Sequence, residues 1–151
     1  MERGDEATAA RYAPKPVTFA ELIKELRGLH GKVIVVDLWT DGCGICKIEF
    51  PNLVRLHRKY AKDGLTSVSL NLDDPDDAVT LKQVNAFLAE QKVDFPSYLL
   101  KEDLDTWQRK FDISGPPAVF VFGRDGRQVR KWTEPNYKEI EALVVELLKA
   151  P

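Results

Sequence analysis

Cys43 and Cys46 are the two cysteines of this 151-residue chain, and Gly44 and Ile45 stand between them. A C-x-x-C pair is suited to thiol–disulfide exchange when one sulfur is an exposed thiolate and the other is near enough to close the disulfide. A purely static bond is the weaker reading, since a four-residue disulfide loop stabilises little. A metal site is not expected: zinc needs four ligands, and only His30 and His57 could join the two thiols. Asp41, two residues before Cys43, opposes a thiolate there, and no cation lies between the cysteines; Lys47 offsets part of this. A weakly stabilised thiolate makes the disulfide harder to reduce, so the dithiol form is expected to act as a reductant.

The elements around the pair give each sulfur a place. Val33–Trp39 is an apolar, β-branched run that reads as a buried parallel strand, and the residues from Lys47 to Lys62 have helical apolar spacing. The cysteines therefore sit where a strand hands over to a helix N-terminus, whose free N–H groups and positive dipole end favour an anion. Cys43 is placed outward as nucleophile and Cys46, inside the first turn, as the resolving thiol. Asp37 shares one strand face with Val33, Val35 and Trp39, and a buried carboxyl without an Arg or Lys partner is costly. Glu49 falls beside Cys46 on the same side of the helix.

The length suits one domain with a real core. Residues 1–16, ending Pro14-Lys-Pro16, read as a flexible linker, and residues 17–151 as the folded part. Thr18 and Glu21 form a capping-box pattern ahead of a helix. Leu65–Leu72 reads as a second parallel strand, Val79–Lys92 as a helix with Val79 inward, and Leu104–Phe111 as a short helix with Leu104 and Trp107 inward. Two final strands meet across Asp125-Gly126, and a helix from Tyr137 closes the chain. His30 and His57 are expected at the surface. A net charge of −2 gives no reason to expect nucleic acid as a partner, and no apolar run is long enough to span a membrane. Met1-Glu-Arg-Gly-Asp lacks the apolar core of a secretory signal.

Taken together, these motifs resemble the thioredoxin superfamily, and within it the TlpA/ResA-like thiol–disulfide oxidoreductases. Asp37-Leu-Trp39 with Cys43-Gly-Ile-Cys46 matches D-x-W-x-x-x-C-x-x-C, and the run through Glu49 and Pro51 matches the C-x-x-C-x-x-E-x-P of that branch. Gly115-Pro116-Pro117 is similar to the family's cis-proline loop. The resemblance implies a three-layer α/β thioredoxin fold: a mixed sheet of four or five strands with helices on both faces. Resemblance to thioredoxin implies Asp37 as acid/base for Cys46, whereas the TlpA/ResA branch usually carries an amide there and relies on the glutamate at the Glu49 position. Asp37 is read as the base and Glu49 as modulator, with the choice between the two open. The resemblance implies substrate contact at Trp39, Gly42, Gly115, Pro116 and Pro117, with Pro117 cis. Gly42 stands where the family usually has tryptophan, which opens the surface around Cys43.

The activity implied is reduction of protein disulfides by a monomer without cofactor. Apocytochrome c or its maturation components are candidate substrates by resemblance, and the electron donor is open. The resemblance implies work outside the cytoplasm, with a signal or anchor removed from this chain; otherwise the setting is cytoplasmic. Two other readings stay open. One is a binding module that keeps the fold without turnover. The other is a thiol peroxidase, suggested by Thr40-x-x-Cys43, although Val36 occupies the place where a proline is expected.

Overall fold

Val33–Trp39, strand β2, is buried at all seven positions and forms the middle of the sheet. The structure, a computed structural model, describes residues 3–150. Helix α1 (Arg3–Ala10), strand β1 (Lys15–Val17) and helix α2 (Phe19–Arg27) precede β2. Helix α3 (Gly44–Tyr60) follows, then a 3-10 turn and strand β3 (Leu65–Asn71). Helix α4 (Ala78–Glu90), strand β4 (Ser97–Leu100) and helix α5 (Leu104–Phe111) lead to strands β5 (Ala118–Phe122) and β6 (Gln128–Trp132), and helix α6 (Tyr137–Lys149) ends the chain.

The sheet has six strands in the order β1-β4-β3-β2-β5-β6. The four on the β1 side are parallel, β5 runs antiparallel to β2, and β6 runs antiparallel to β5. The sequence implied four or five strands, and the sixth is β1. Lys15–Val17 pairs with Tyr98–Leu100, and Val17 is fully buried. The sheet thus begins inside the stretch read as a linker, and α1 lies there too, packed against α4. Pro14-Lys-Pro16 misleads because proline, which cannot complete a central ladder, is tolerated on an edge strand. The first two residues of that stretch and Pro151 lie outside the described residues.

Alternation along β2 divides the interior. Val33, Val35 and Trp39 join a core with Cys46, Phe50 and Leu53 of α3, Val84 and Leu88 of α4, and Ile140 and Val144 of α6. Ile34, Val36 and Leu38 join a second core with Leu22 of α2 and Trp107 of α5. Helices therefore cover both faces, as a buried parallel strand requires. Thr18 caps α2 through a reciprocal bond with Glu21, as its sequence predicts. Val79 and Leu104 differ from expectation: both are exposed, each lying in the first turn of its helix where the face turns outward. His57 also differs. It is partly buried on α3, its ring lies against Phe95, and Nδ1 accepts from the Ser67 N–H at 3.1 Å. Burial pushes the His57 pKa down.

Candidate active site

Cys43 and Cys46 are joined as a disulfide with their Cα atoms 5.3 Å apart. Cys43 is the N-cap of α3, and its Sγ accepts from the Cys46 N–H at 3.3 Å. A sulfur at this place faces the unpaired N–H groups of the first turn. The two sulfurs differ in access. Cys43 is partly exposed, while Cys46 is only 2% exposed and lies in the core of the α3 face. Such a difference lets one thiol meet a large partner while the other waits beneath it.

The loop before Cys43 is fastened from the neighbouring strand. Asp73 Oδ2, just past β3, accepts from the Asp41 N–H at 2.8 Å and from Asn71 Nδ2 at 2.9 Å. The Asp41 carboxylate accepts from Lys47 Nζ, one turn into α3. The same ammonium lies 5.2 Å from the Phe87 ring centre. The charge that opposes a thiolate at Cys43 is thus held by a cation.

Asp37 is 3% exposed on the β2 face that α3 and α6 cover. Its Oδ2 accepts from the Tyr137 hydroxyl at 2.5 Å. Burial raises the Asp37 pKa to about 7; the Tyr137 bond pulls it down, and the Glu49 charge pushes it up. Burial and the adjacent Asp37 charge raise the Tyr137 pKa well above 10, so its hydroxyl stays a donor at neutral pH. Glu49, three residues after Cys46, is partly exposed and accepts from Asn52 Nδ2 at 2.8 Å. The structure thus brings Cys46, Glu49 and Asp37 to one layer.

The remaining expected contacts divide. Leu38 pairs with Ala118, so the loop that precedes β5 runs beside the end of β2, and the Pro116–Pro117 peptide in it is cis. Gly115, Pro116 and Pro117 are all partly exposed there, and Gly42 is exposed with open space where a Cβ would stand. Trp39 does not fit substrate contact. It is fully buried, its Nε1 donates to Ser69 Oγ at 2.8 Å, and it packs edge-on against Phe50 with ring centres 5.5 Å apart. The contact implied by resemblance is not made, because Trp39 faces the core shared with α3 and α4.

Two residues of this site escaped sequence reasoning. Asp73 stands in the acidic run Asp73-Asp-Pro-Asp-Asp77, where no pattern singles out one carboxylate. Tyr137 follows the helix cap Asn136 and reads as an ordinary first helical residue, yet its partner lies 100 positions earlier. Only the unpartnered Asp37 hinted that a donor must come from elsewhere in the chain.

A mixed sheet with a cysteine pair at the helix turn after its central strand defines a thioredoxin-fold protein whose site performs thiol–disulfide exchange. A family model described as Redoxin matches residues 14–146, and the chain belongs to that family. It is 27% identical to the thiol:disulfide interchange protein HelX of Rhodobacter capsulatus, over 97% of this chain and 77% of HelX. It is 28% identical to the thiol-disulfide oxidoreductase ResA of Bacillus subtilis, over 70% of this chain and 55% of ResA. The chain thus spans just over half of that relative's length. A solved thiol-disulfide isomerase from Corynebacterium glutamicum shares the fold, with a TM-score of 0.70 and 20% identity over 83% of this chain and 86% of that one.

Proposed function

We propose that the protein reduces disulfides of protein substrates through Cys43 and Cys46. The carrying observation is the layered arrangement: a partly exposed Cys43 at a helix N-terminus, a buried Cys46 behind it, and a buried carboxyl, Asp37, in the same layer. The Cys43 thiolate attacks one sulfur of the substrate disulfide. The new Cys43–substrate bond forms as the substrate S–S bond breaks, and the departing sulfur takes a proton from water. Asp37 then takes the proton of Cys46. The Cys46 thiolate attacks Cys43 Sγ, and the second substrate sulfur leaves as a thiolate. Two electrons have passed to the substrate, and the protein holds a disulfide. Asp37 suits the proton step because its raised pKa lies near neutral pH, where a base accepts and releases protons readily.

A macromolecular substrate fits the surroundings. Ile45 and Ile48 are 51% and 71% exposed in the first turns of α3, beside the open surface at Gly42. The segment 115–117 offers backbone groups against which an extended chain can lie. Cytochrome c maturation components as substrates, and a setting outside the cytoplasm, are finer proposals that rest on the TlpA/ResA resemblance. The order of attack is tested by trapping. Cys46→Ser, exposed to an oxidised protein substrate, is expected to accumulate a mixed disulfide through Cys43, whereas Cys43→Ser is not. Equal trapping by both variants contradicts the assigned order.

A further inference from the structure

The Asp37–Tyr137 contact is the one buried side-chain hydrogen bond that joins α6 to the central strand among the described residues. Both partners are buried, Asp37 at 3% exposure and Tyr137 at 8%. No other protein group donates to Asp37 among the described hydrogen bonds, so Oδ2 is held by Tyr137 and Oδ1 is left without a protein donor. Ser69 and Val119 flank Asp37 on the neighbouring strands and do not titrate. The charged group acting on Asp37 from α3 is Glu49, and it is repulsive. No lysine or arginine is among the groups that perturb it.

We propose that Tyr137 is a positioning residue for the resolving step: its hydroxyl engages one oxygen of the Asp37 carboxylate and leaves the other to receive the Cys46 proton. This rests on the reading of Asp37 as the base. A hydroxyl that only donates suits the task. It stabilises the carboxylate, the form that can take a proton, without bringing a second charge into the layer. Burial and Glu49 both favour the protonated form, and the Tyr137 hydrogen bond is the interaction that opposes them. It also restrains the carboxyl, since Oδ2 is held at 2.5 Å by the buried side chain of the first residue of α6. The step itself is unchanged: the Cys46 S–H bond breaks, its proton goes to Asp37, and Tyr137 keeps its own.

The test is single-turnover reaction of the reduced protein with one equivalent of 5,5′-dithiobis(2-nitrobenzoate) in a stopped-flow instrument between pH 5 and 9. The first thionitrobenzoate released reports attack by Cys43. The second, independent of concentration, reports resolution by Cys46. The wild-type resolution rate is expected to rise through an inflection near neutral pH. Tyr137→Phe keeps the ring and removes the hydroxyl. It is expected to move that inflection up by about one pH unit, the size of one hydrogen bond to a charged group, and to slow resolution up to about tenfold at pH 7. The rate should recover at higher pH, which a purely structural defect cannot produce. Asp37→Asn should abolish the inflection, and adding Tyr137→Phe to it should change nothing further. An inflection lost in Asp37→Asn but unmoved in Tyr137→Phe overturns the role of Tyr137 and leaves the base in place. An inflection kept in Asp37→Asn overturns the base, and this inference with it. If Tyr137→Phe does not fold, incorporation of 3-fluorotyrosine supplies a stronger donor of nearly the same shape. The inflection is then expected to move down, and an unmoved or raised one overturns the proposal.

Discussion

The two faces of the sheet are both buried, yet they differ in kind. On β2 the residues facing α2 and α5 are Ile34, Val36 and Leu38, and their neighbours on β3 are Val68 and Leu70. On the other face Asp37 pairs in register with Ser69, Val35 with Ser67, and Trp39 with Asn71. All four buried polar or charged residues described, Asp37, Ser67, Ser69 and Asn71, therefore stand on the face that α3 covers. Each needs a partner there: Ser67 Oγ donates to the Leu53 carbonyl, Ser69 accepts from Trp39, Asn71 holds Asp73, and Asp37 accepts from Tyr137. Three of these bonds fasten α3, Trp39 and the Cys43 loop, while the Asp37 bond holds a group that folding alone disfavours. One face carries a buried carboxyl beside the cysteine pair, and the other carries none among the described residues.

Truncation on the apolar face is the largest effect that can break this contrast. Leu70→Ala removes a fully buried side chain and is expected to destabilise the protein by about 2–5 kcal/mol in denaturant melts. The pH dependence of resolution should stay where it is in the wild type. A shift in that profile would show the two faces to be coupled.

Asp37→Asn is expected to act in the opposite sense. Its folded pKa of about 7 lies above the unfolded value near 3.8. Between the two, the native state binds the extra proton, so the stability this group contributes is fully present below the unfolded pKa. It falls as pH rises toward 7 and levels off beyond. The variant should therefore gain on the wild type across that window and be about 1–3 kcal/mol more stable at pH 8. Resolution should slow by about tenfold as general-base help is lost. A variant less stable at every pH and fully active would make Asp37 a satisfied structural residue and Glu49 the better candidate base.

The smallest effect sharpens the contrast at the rim. Lys47→Met leaves the Asp41 charge uncompensated beside Cys43 and should make the reduction potential more negative by about 10–30 mV. Equilibration with glutathione or dithiothreitol buffers measures it. A rise in potential would mean that Lys47 does not compensate Asp41.

What could be read from the chain was whatever depends on near neighbours. The strand Val33–Trp39, its alternation, the cysteines at a helix start and the capping box at Thr18 are all patterns within a few residues, and all stand in the structure. The edge strand β1 escaped because its partners, Tyr98–Leu100, lie far along the chain and its proline argued against pairing. His57, expected at the surface, is partly buried for a related reason. Position along an element says which side a residue faces, but not how deeply the next layer covers it. Asp37 could be named from the sequence and Tyr137 could not, since a buried carboxyl announces its need for a donor without saying which residue supplies it.

On the proposed function, this site gives electrons to substrate disulfides. The reduction potential of the Cys43/Cys46 pair tests it most directly. Among the described residues, the helix N-terminus is the stabilising feature left for a Cys43 thiolate once Lys47 is paired with Asp41, and no cation lies between the cysteines. Equilibration of the wild-type protein with dithiothreitol buffers should give a value of roughly −220 to −280 mV, between the glutaredoxins and thioredoxin. A value near −120 mV, that of a strong disulfide donor, would contradict the account and make the protein an oxidant.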